Sequence, residues 1–332
     1  MNEKKNAFGL PRYELGDILN NKKVITTIEG TFADWFKFLG MDTCTQSGLT
    51  YVTLYSLRKE SIGSGRIDEG LRDLYKKHGV FDAFREKLQG RAKAIHKYMK
   101  PYLGMNVLDF GCGPGEVGQF VKDQKPKRAV TLTDVFDAEK RTKFAPELPF
   151  RLRKPGTKLD YKTGQFDTGL LITVLHHAEN PLHELDEVAR VTNGNICVVE
   201  SIYGVRTIDS PVEQVMKFPK LYYRFHGLSN EQQRMYGTFM DWFLNKMFIG
   251  NSVNCPYNFN SPQNWERIFQ ERGLKVIEKK MLGIDQPVTP EYHVFYALSN
   301  KREPPIFKSG TVGVYEPHKI DSWAMRDASV ET

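Results

Sequence analysis

Apolar residues between about positions 91 and 204 fall into two alternating patterns. Stripes at helical spacing cover residues 92–99, 116–122 and 181–189. Short apolar runs predict strands at residues 106–110, 129–133, 150–152, 167–174 and 195–200. The run at 167–174 is apolar almost throughout, which is typical of a strand buried on both faces of a parallel sheet. The series therefore predicts an α/β fold whose helices cover both faces of a mostly parallel sheet.

The alternation pauses after residue 204 and resumes at about residue 257. Ser261 and Pro262 are typical of a helix start, and the segments 274–281 and 292–298 predict two last strands that pair as a hairpin at the sheet edge. We therefore expect a Rossmann-like, mostly parallel seven-stranded sheet. The predicted parts of the chain are an N-terminal addition (1–90), a core (91–204 and 257–300), a helical lid insertion (205–256) and a C-terminal tail (301–332).

A glycine-rich turn follows the first predicted strand, in the segment from Asp109 to Gly115. Glycine lacks a Cβ atom, so the turn lets a ligand approach the backbone closely. Asp134 ends the next strand, where its carboxylate is placed to bind the hydroxyls of a ribose. Because Gly113, Gly115 and Gly118 also satisfy the dinucleotide fingerprint, this pattern alone leaves an NAD-binding site open.

Two longer segments carry a family resemblance: VLDFGCGPGEVGQF and FDTGLLITVLHHAENP. They resemble the first motif and the fourth-strand motif of class I S-adenosylmethionine-dependent methyltransferases. The resemblance implies that S-adenosyl-L-methionine is the cofactor and that Asp109 and Gly111 lie near its methionine portion. It also implies that Gly113 and Gly115 form the turn and that Asp134 binds the ribose.

The same resemblance implies further cofactor contacts. Val135 would pack on the adenine, and Leu159 or Asp160 would contact it from the loop after the third strand. Thr173 and Val174 would end the fourth strand beside the sulfonium. Basic residues crowd the third-strand loop and depart from the usual acidic and apolar pattern; they are Arg153, Lys154 and Lys158.

Four polar residues are candidates for catalysis because they fall at the carboxyl edge of the predicted sheet. His176 and His177 follow the fourth strand, Tyr203 follows the fifth, and His293 begins the last. A general base is needed if the acceptor is a hydroxyl, whereas a thioether or tertiary amine needs only positioning. The alternative is that these side chains cap helices or pack in the core.

The insertion predicts a helix that begins at a capping box, Ser229 with Gln232. Its apolar stripe consists of Met235, Phe239, Trp242, Phe243, Met247 and Phe248. Such a stripe is typical of a core, but an insertion after the fifth strand also fits a lid over the methyl acceptor. Basic side chains in the insertion would then favour an acidic group on the acceptor; they are Lys217, Lys220, Arg224 and His226.

Composition adds few constraints. The net charge is +7, but Lys and Arg are scattered, which argues against a nucleic-acid groove. The segment from Thr173 to His177 also lacks the Asn/Asp-Pro-Pro-aromatic set that grips a flipped base. Four dispersed cysteines predict no disulfide framework and no metal site. With no apolar segment of membrane length, we expect a cytoplasmic protein without membrane or nucleic-acid partners.

We therefore predict an enzyme that transfers a methyl group to a small-molecule acceptor, by in-line attack on the sulfonium methyl. An NAD-dependent oxidoreductase and a non-catalytic cofactor-binding protein are the alternatives. Methylation of a protein stays open, as does the oligomeric state, with a homodimer among the options.

Overall fold

A computed structural model describes residues 5–61, 65–137, 144–251, 255–284 and 289–300. The predicted tail, 301–332, lies outside the described residues. The strands are β1 (Asn106–Phe110), β2 (Ala129–Asp134), β3 (Phe150–Leu152), β4 (Phe166–Ile172), β5 (Thr192–Ser201), β6 (Lys275–Ile284) and β7 (Tyr292–Ser299). They form one seven-stranded sheet in the order β3-β2-β1-β4-β5-β7-β6. The predicted Rossmann-like α/β fold is confirmed.

Parallel pairing runs from β3 through β2, β1 and β4 to β5. Strand β7 is antiparallel to both of its neighbours, β5 and β6, so the last two strands pair as predicted. The carboxyl ends of the five parallel strands therefore meet at one edge, where open α/β sheets bind ligands.

The helices of the described residues are α1 (Leu15–Asn20), α2 (Lys22–Phe38), α3 (Thr43–Ser56), α4 (Glu69–Lys77), α5 (Val80–Met99), α6 (Glu116–Asp123), α7 (Pro181–Val191), α8 (Val212–Lys217), α9 (Pro219–His226), α10 (Asn230–Leu244) and α11 (Pro262–Glu271). Local sequence explains several starts. The Asn180 side chain accepts a hydrogen bond from the His183 N–H at the start of α7, and Ser261 caps α11 in the same way. None of these helices combines the length and apolar composition needed to cross a membrane.

Alternating residues of β4 pack against opposite faces of the sheet. Leu170 and Ile172 join a core that contains Met99 of α5 and Val121 of α6. Leu171 joins the larger core on the other side, among residues of α7 and α10. Burial on both faces explains why the sequence of this strand is apolar throughout.

The N-terminal addition and the insertion pack together as one helical layer. Phe32 of α2 lies edge-on to Phe239 and Phe243 of α10, at ring-centroid distances of 6.1 and 4.8 Å. The hydroxyls of Thr31 and Tyr236 are 3.2 Å apart within the same contact. Two segments that are distant in sequence therefore form a shared core.

Helix α5 connects this layer to the sheet. It runs from Val80 to Met99 with no break at residue 90, where the predicted addition ends. Phe84 packs in the larger core, whereas Ile95 packs against the sheet. The apolar spacing of the helix thus begins about ten residues earlier than the stripe that the sequence indicates.

The aromatic stripe of α10 is core. Phe239 and Phe243 are fully buried, as is Met247 in the segment Asn245–Ile249 that follows α10, and the indole N–H of Trp242 donates a hydrogen bond to the Gly65 carbonyl. These contacts favour a core role for the stripe over the alternative role as a wall of an acceptor pocket.

We expect Phe239→Ala to lower the free energy of unfolding by about 3–5 kcal/mol, because it removes buried apolar area and leaves a cavity. Urea-induced unfolding measures the change. Tyr223→Ala is the matched control, since this ring is 83% exposed, and it is expected to change stability by less than about 0.5 kcal/mol. Equal effects of the two variants would contradict the assignment of Phe239 to the core.

Candidate functional site

The glycine turn at the end of β1 lies directly against the end of β4. Gly111, Gly113 and Gly115 have φ angles of 69°, 51° and 85°, in the left-handed region that favours glycine. A Cβ atom on Gly111 would lie 2.6 Å from Cγ2 of Val174. Glycine at position 111 is therefore what allows the two strand ends to come together.

Asp134, at the end of β2, holds the turn from the other side. Its Oδ2 accepts a hydrogen bond from the Gly113 N–H at 2.7 Å, and its Oδ1 accepts one from the Val135 N–H at 2.6 Å. Burial raises the pKa of Asp134, and these backbone N–H groups oppose the rise. Each carboxylate oxygen has further acceptor capacity, so the group can still bind hydroxyls. Val135 and Phe136 follow it and are each 44% exposed, which leaves apolar surface beside the carboxylate.

Asp109 lies beneath the turn and is 2% exposed. Its Oδ2 makes no hydrogen bond of normal geometry among the described residues, although the Gly118 backbone lies close to the carboxyl group and opposes a rise in its pKa. Burial raises the pKa of Asp109 to about 7, and the nearby Asp134 carboxylate adds to the rise. A buried carboxyl oxygen without a partner is a position where a cationic or hydrogen-bond-donating ligand group would be stabilised.

The loop after β3 borders a pocket of about 450 Å³. Leu159 lines it, but its side chain is buried in the larger core and its N–H donates to Oε2 of Glu187 at 2.6 Å. The Asp160 side chain is fully exposed and pairs with Arg151 at 3.0 Å. Arg153 forms a buried ion pair with Glu184. This ion pair accounts for Arg153, one of the three basic residues that depart from the usual pattern in this loop, whereas Lys154 and Lys158 are exposed.

The end of β4 is held by a single carboxylate, that of Glu200 on β5. Its Oε1 accepts hydrogen bonds from the Val174 N–H at 3.0 Å and the Leu175 N–H at 2.7 Å. Its Oε2 lies 2.6 Å from Nδ1 of His176. Thr173, immediately before this turn, has a φ of 56°, which is uncommon for a β-branched residue. Glu200 thus fixes the turn that presents both histidines.

Asp241 of α10 faces the two histidines. Its Oδ1 lies 3.3 Å from Nε2 of His177 and 3.7 Å from Nε2 of His176. Burial alone would lower the pKa of His176, but Glu200 and Asp241 outweigh it and raise the pKa to about 10. Burial lowers the pKa of His177 to about 4. At neutral pH, therefore, His176 is charged and His177 is neutral.

His293 of β7 lies beside this group. Its Nε2 is 3.1 Å from the Ser201 hydroxyl, which donates to Oε2 of Glu291 at 2.8 Å. Burial raises the pKa of Glu291 to about 8, and Asp241 adds to the rise. The other oxygen of Glu291 has no hydrogen-bond partner among the described residues. Asp241 and Glu291 thus bring two buried carboxyl groups close to the histidines.

The remaining candidates lie elsewhere. Tyr203 is near Arg234, whose guanidinium carbon is 5.9 Å from the ring centroid, and the ring does not join the histidine group. Arg224 forms an ion pair with Asp34 of α2, and His226 contacts the Ser210 hydroxyl at 2.8 Å. These basic groups of the insertion are therefore occupied by partners within the chain.

Sequence reasoning missed Asp241 and Glu291. Asp241 stands within the aromatic stripe of α10, where an acidic residue among buried positions is the one signal that points to it. Glu291 directly precedes β7, and no motif or spacing in the sequence points to it. Both residues reach the site through long-range packing.

A family model described as a methyltransferase domain matches residues 84–279. Two curated relatives are ribosomal RNA small subunit methyltransferase C proteins. The one from Actinobacillus succinogenes is 37% identical over 62 residues, which are 19% of this chain and 18% of that protein. The one from Erwinia tasmaniensis is 30% identical over 117 residues, 35% of this chain and 34% of that protein. The matches thus span about a third or less of either relative.

Three solved structures are similar to this chain at low identity. A chain from the complex between the Haloferax volcanii Trm112 methyltransferase activator and its partner is 16% identical, with coverage of 70% of this chain and 98% of that chain and a TM-score of 0.45. Magnesium protoporphyrin IX methyltransferase from Synechocystis is 14% identical, with 65% and 84% coverage and a TM-score of 0.40. A Burkholderia thailandensis 1,6-didemethyltoxoflavin-N1-methyltransferase is 12% identical, with 69% and 86% coverage and a TM-score of 0.42. No substrate or partner is inferred for this chain from similarity at this level.

The raised pKa of Asp109 makes stability depend on pH. Since the pKa is about 7 in the folded chain and 3.8 ordinarily, its stabilising contribution is complete below its ordinary pKa and is lost as pH rises through about 7. We expect Asp109→Asn to be more stable than the parent chain at about pH 8 by at most about 4 kcal/mol, and to lose this advantage at low pH.

Urea unfolding of both proteins at about pH 5 and pH 8 measures the difference. Asp123→Asn, at the exposed end of α6, is the control and is expected to show no such pH dependence. A difference between Asp109→Asn and the parent chain that is the same at both pH values would contradict the role of the buried carboxyl group.

Proposed function

The chain belongs to the family of methyltransferase domains, and on this basis we propose that it methylates a small-molecule acceptor with S-adenosylmethionine as methyl donor. The observation that carries the proposal is the junction of two strand ends, where Gly111 of the glycine turn meets Val174 at the end of β4. We propose that the glycine turn with Asp109 and Asp134 and the group of His177, Asp241 and Glu291 border a common ligand space at this junction, which we call the crevice.

The described residues fit the cofactor. A Cβ atom on Gly113 would meet no atom within 4 Å, so the space above the turn is open. Asp109 offers a buried oxygen without a partner, which suits the ammonium of the methionine portion. We place the ribose on Asp134 and the adenine on Val135, whose side chain is 44% exposed. Asp160 is the candidate for a further adenine contact, since Leu159 is committed to the core.

When bound, S-adenosylmethionine would supply a methyl group on a positively charged sulfur, and the acceptor would attack the methyl carbon in line with the carbon–sulfur bond. Thr173 and Val174 would present backbone carbonyls to the amino group beside that sulfur. His177 is the histidine that reaches the crevice, with a side chain that is 28% exposed, so we assign it to the acceptor. Fully buried, His176 and His293 are assigned to positioning the groups around it. No role at the reacting atoms is assigned to Tyr203.

Burial supports a small acceptor. Asp241 belongs to α10 of the helical layer and Glu291 directly precedes β7, and they are 2% and 5% exposed. An acceptor that reaches them must have a small cross-section. Arg224 and His226 are held by partners within the chain, so these two basic residues no longer favour the acidic acceptor that the insertion sequence suggests.

The second candidate acceptor is RNA, because both curated relatives are named for ribosomal RNA methylation. Their short matches cover at most 35% of this chain.

We also propose a cytoplasmic location, since the cysteines of the described residues are all free. The helical layer is the part of the chain to which we assign acceptor choice.

We expect S-adenosylhomocysteine to bind in the micromolar range and NAD to bind at least about 100-fold more weakly, because the two ligands share the ribose contact but only the first places an ammonium near Asp109. Isothermal titration calorimetry of the full chain with each ligand measures this. Tight binding of NAD without binding of S-adenosylhomocysteine would overturn the proposed function.

Asp134→Ala should weaken S-adenosylhomocysteine binding by about 1.5–3 kcal/mol, the usual value for hydrogen bonds to a charged group. Calorimetry and a thermal melt of the same samples separate lost binding from lost folding. Asp123→Ala, exposed on α6, is the control and should bind as the parent chain does. An unchanged dissociation constant in Asp134→Ala would mean that the ribose lies elsewhere.

A further inference from the structure

We propose that His176, His177 and Asp241 bind a divalent first-row transition-metal ion between the end of β4 and helix α10. Each side chain offers one ligand atom, and the three atoms lie within 4.8 Å of one another. His176 and Asp241 are 1% and 2% exposed, so this is a built interior group. Two imidazoles and one carboxylate are a donor set that such ions prefer.

The spacing of the donors agrees with metal coordination better than with direct hydrogen bonding. Nε2 of His177 and Nε2 of His176 lie 3.3 and 3.7 Å from Oδ1 of Asp241. Metal–ligand bonds of about 2.0–2.2 Å separate neighbouring tetrahedral donors by about 3.3–3.5 Å. Two of the three separations are therefore close to what an ion requires.

Hydrogen bonds outside the three donors hold them as second-shell groups hold metal ligands. Glu200 contacts Nδ1 of His176 at 2.6 Å, which leaves Nε2 directed at Asp241. The Asn245 amide donates to Oδ1 of Asp241 at 2.8 Å and orients that carboxylate. A histidine whose far nitrogen is bound by a carboxylate is the common arrangement around metal sites.

Two buried polar atoms in the group have no hydrogen-bond partner in the part of the chain that the structure describes. They are Oδ2 of Asp241 and Nδ1 of His177. Because Oδ2 belongs to the same carboxylate as the proposed ligand atom Oδ1, a cation bound at Oδ1 would offset the cost of burying this charge. The competing explanation is that a proton on His176, held between Glu200 and Asp241, supplies the positive charge alone.

The role of the ion rests on the proposed function. Three protein ligands leave at least one coordination position open. His177 is the ligand that reaches the crevice, so the open position faces the acceptor side. An ion there can bind an oxygen or sulfur of the acceptor and lower its pKa.

The test uses the full chain after dialysis against EDTA, titrated with Zn²⁺ by calorimetry, with Co²⁺ absorption as a spectroscopic probe. We expect one ion per chain with a dissociation constant in the micromolar range or lower. His177→Gln and Asp241→Asn should weaken binding at least about tenfold, and Glu200→Gln should weaken it by about tenfold through His176. His78→Gln, an exposed histidine on the surface, is the matched control and should leave binding unchanged.

Thermal melts of each variant identify misfolding, and His177→Gln is informative because its partly exposed side chain tolerates replacement best. Absence of stoichiometric Zn²⁺ binding by the parent chain would overturn the site in favour of the protonated histidine, and so would equal binding by folded His177→Gln. S-adenosylhomocysteine is titrated into the same samples. Binding of that ligand without zinc rejects the metal site alone, whereas binding of zinc without that ligand rejects the proposed function alone.

Discussion

The carboxylate of Glu200 is the interaction on which the rest of the site depends. It is fully buried at the end of β5, a position where an uncompensated charge would be very costly. Backbone N–H groups of Val174 and Leu175 and the ring of His176 compensate it. These same bonds force the chain to turn at the end of β4. The buried carboxylate of Glu200 therefore gains its hydrogen-bond donors only when the chain turns so that both histidines lie at the sheet edge.

That turn in turn depends on the glycines of the neighbouring strand. Val174 occupies the space that a Cβ atom on Gly111 would need. Thr173 is held in a left-handed conformation, and its N–H donates to the Val199 carbonyl at 2.7 Å. Strain of this kind persists only where the surroundings over-determine the backbone. The cofactor turn and the histidine turn are thus two halves of one packed junction between β1, β4 and β5.

The sequence sufficed for the features that local patterns determine. The apolar runs, the glycine turn and the helix start at Ser261 and Pro262 could be predicted because their physical causes lie within a few residues. The partners of α10 are different, since Phe239 packs on Phe32, which lies far upstream in the chain. No periodicity within either helix specifies that pairing, and so the stripe of α10 was compatible with both a core and a lid.

Asp241 and Arg224 illustrate the same limit for the site. A basic residue in an insertion suggests an anionic ligand until the ion pair with Asp34 is seen. An acidic residue on an aromatic stripe suggests nothing until the fold places it 3.3 Å from His177. The cofactor side of the crevice is encoded in contiguous motifs, whereas the acceptor side is assembled from strands, the insertion and the N-terminal helices.

The carboxyl groups on the acceptor side are arranged so that none of them carries an uncompensated negative charge. A methyl donor loses its positive charge as the methyl group moves, so ionised carboxylates nearby would stabilise the ground state more than the transition state. Glu291 avoids this because burial raises its pKa, which favours its neutral form. The charge of Glu200 is compensated by hydrogen bonds from backbone N–H groups and from His176. Asp241 shares its charge with two imidazoles. Each carboxyl group is thus neutral or locally compensated, which leaves the crevice able to favour the charge distribution of the transition state.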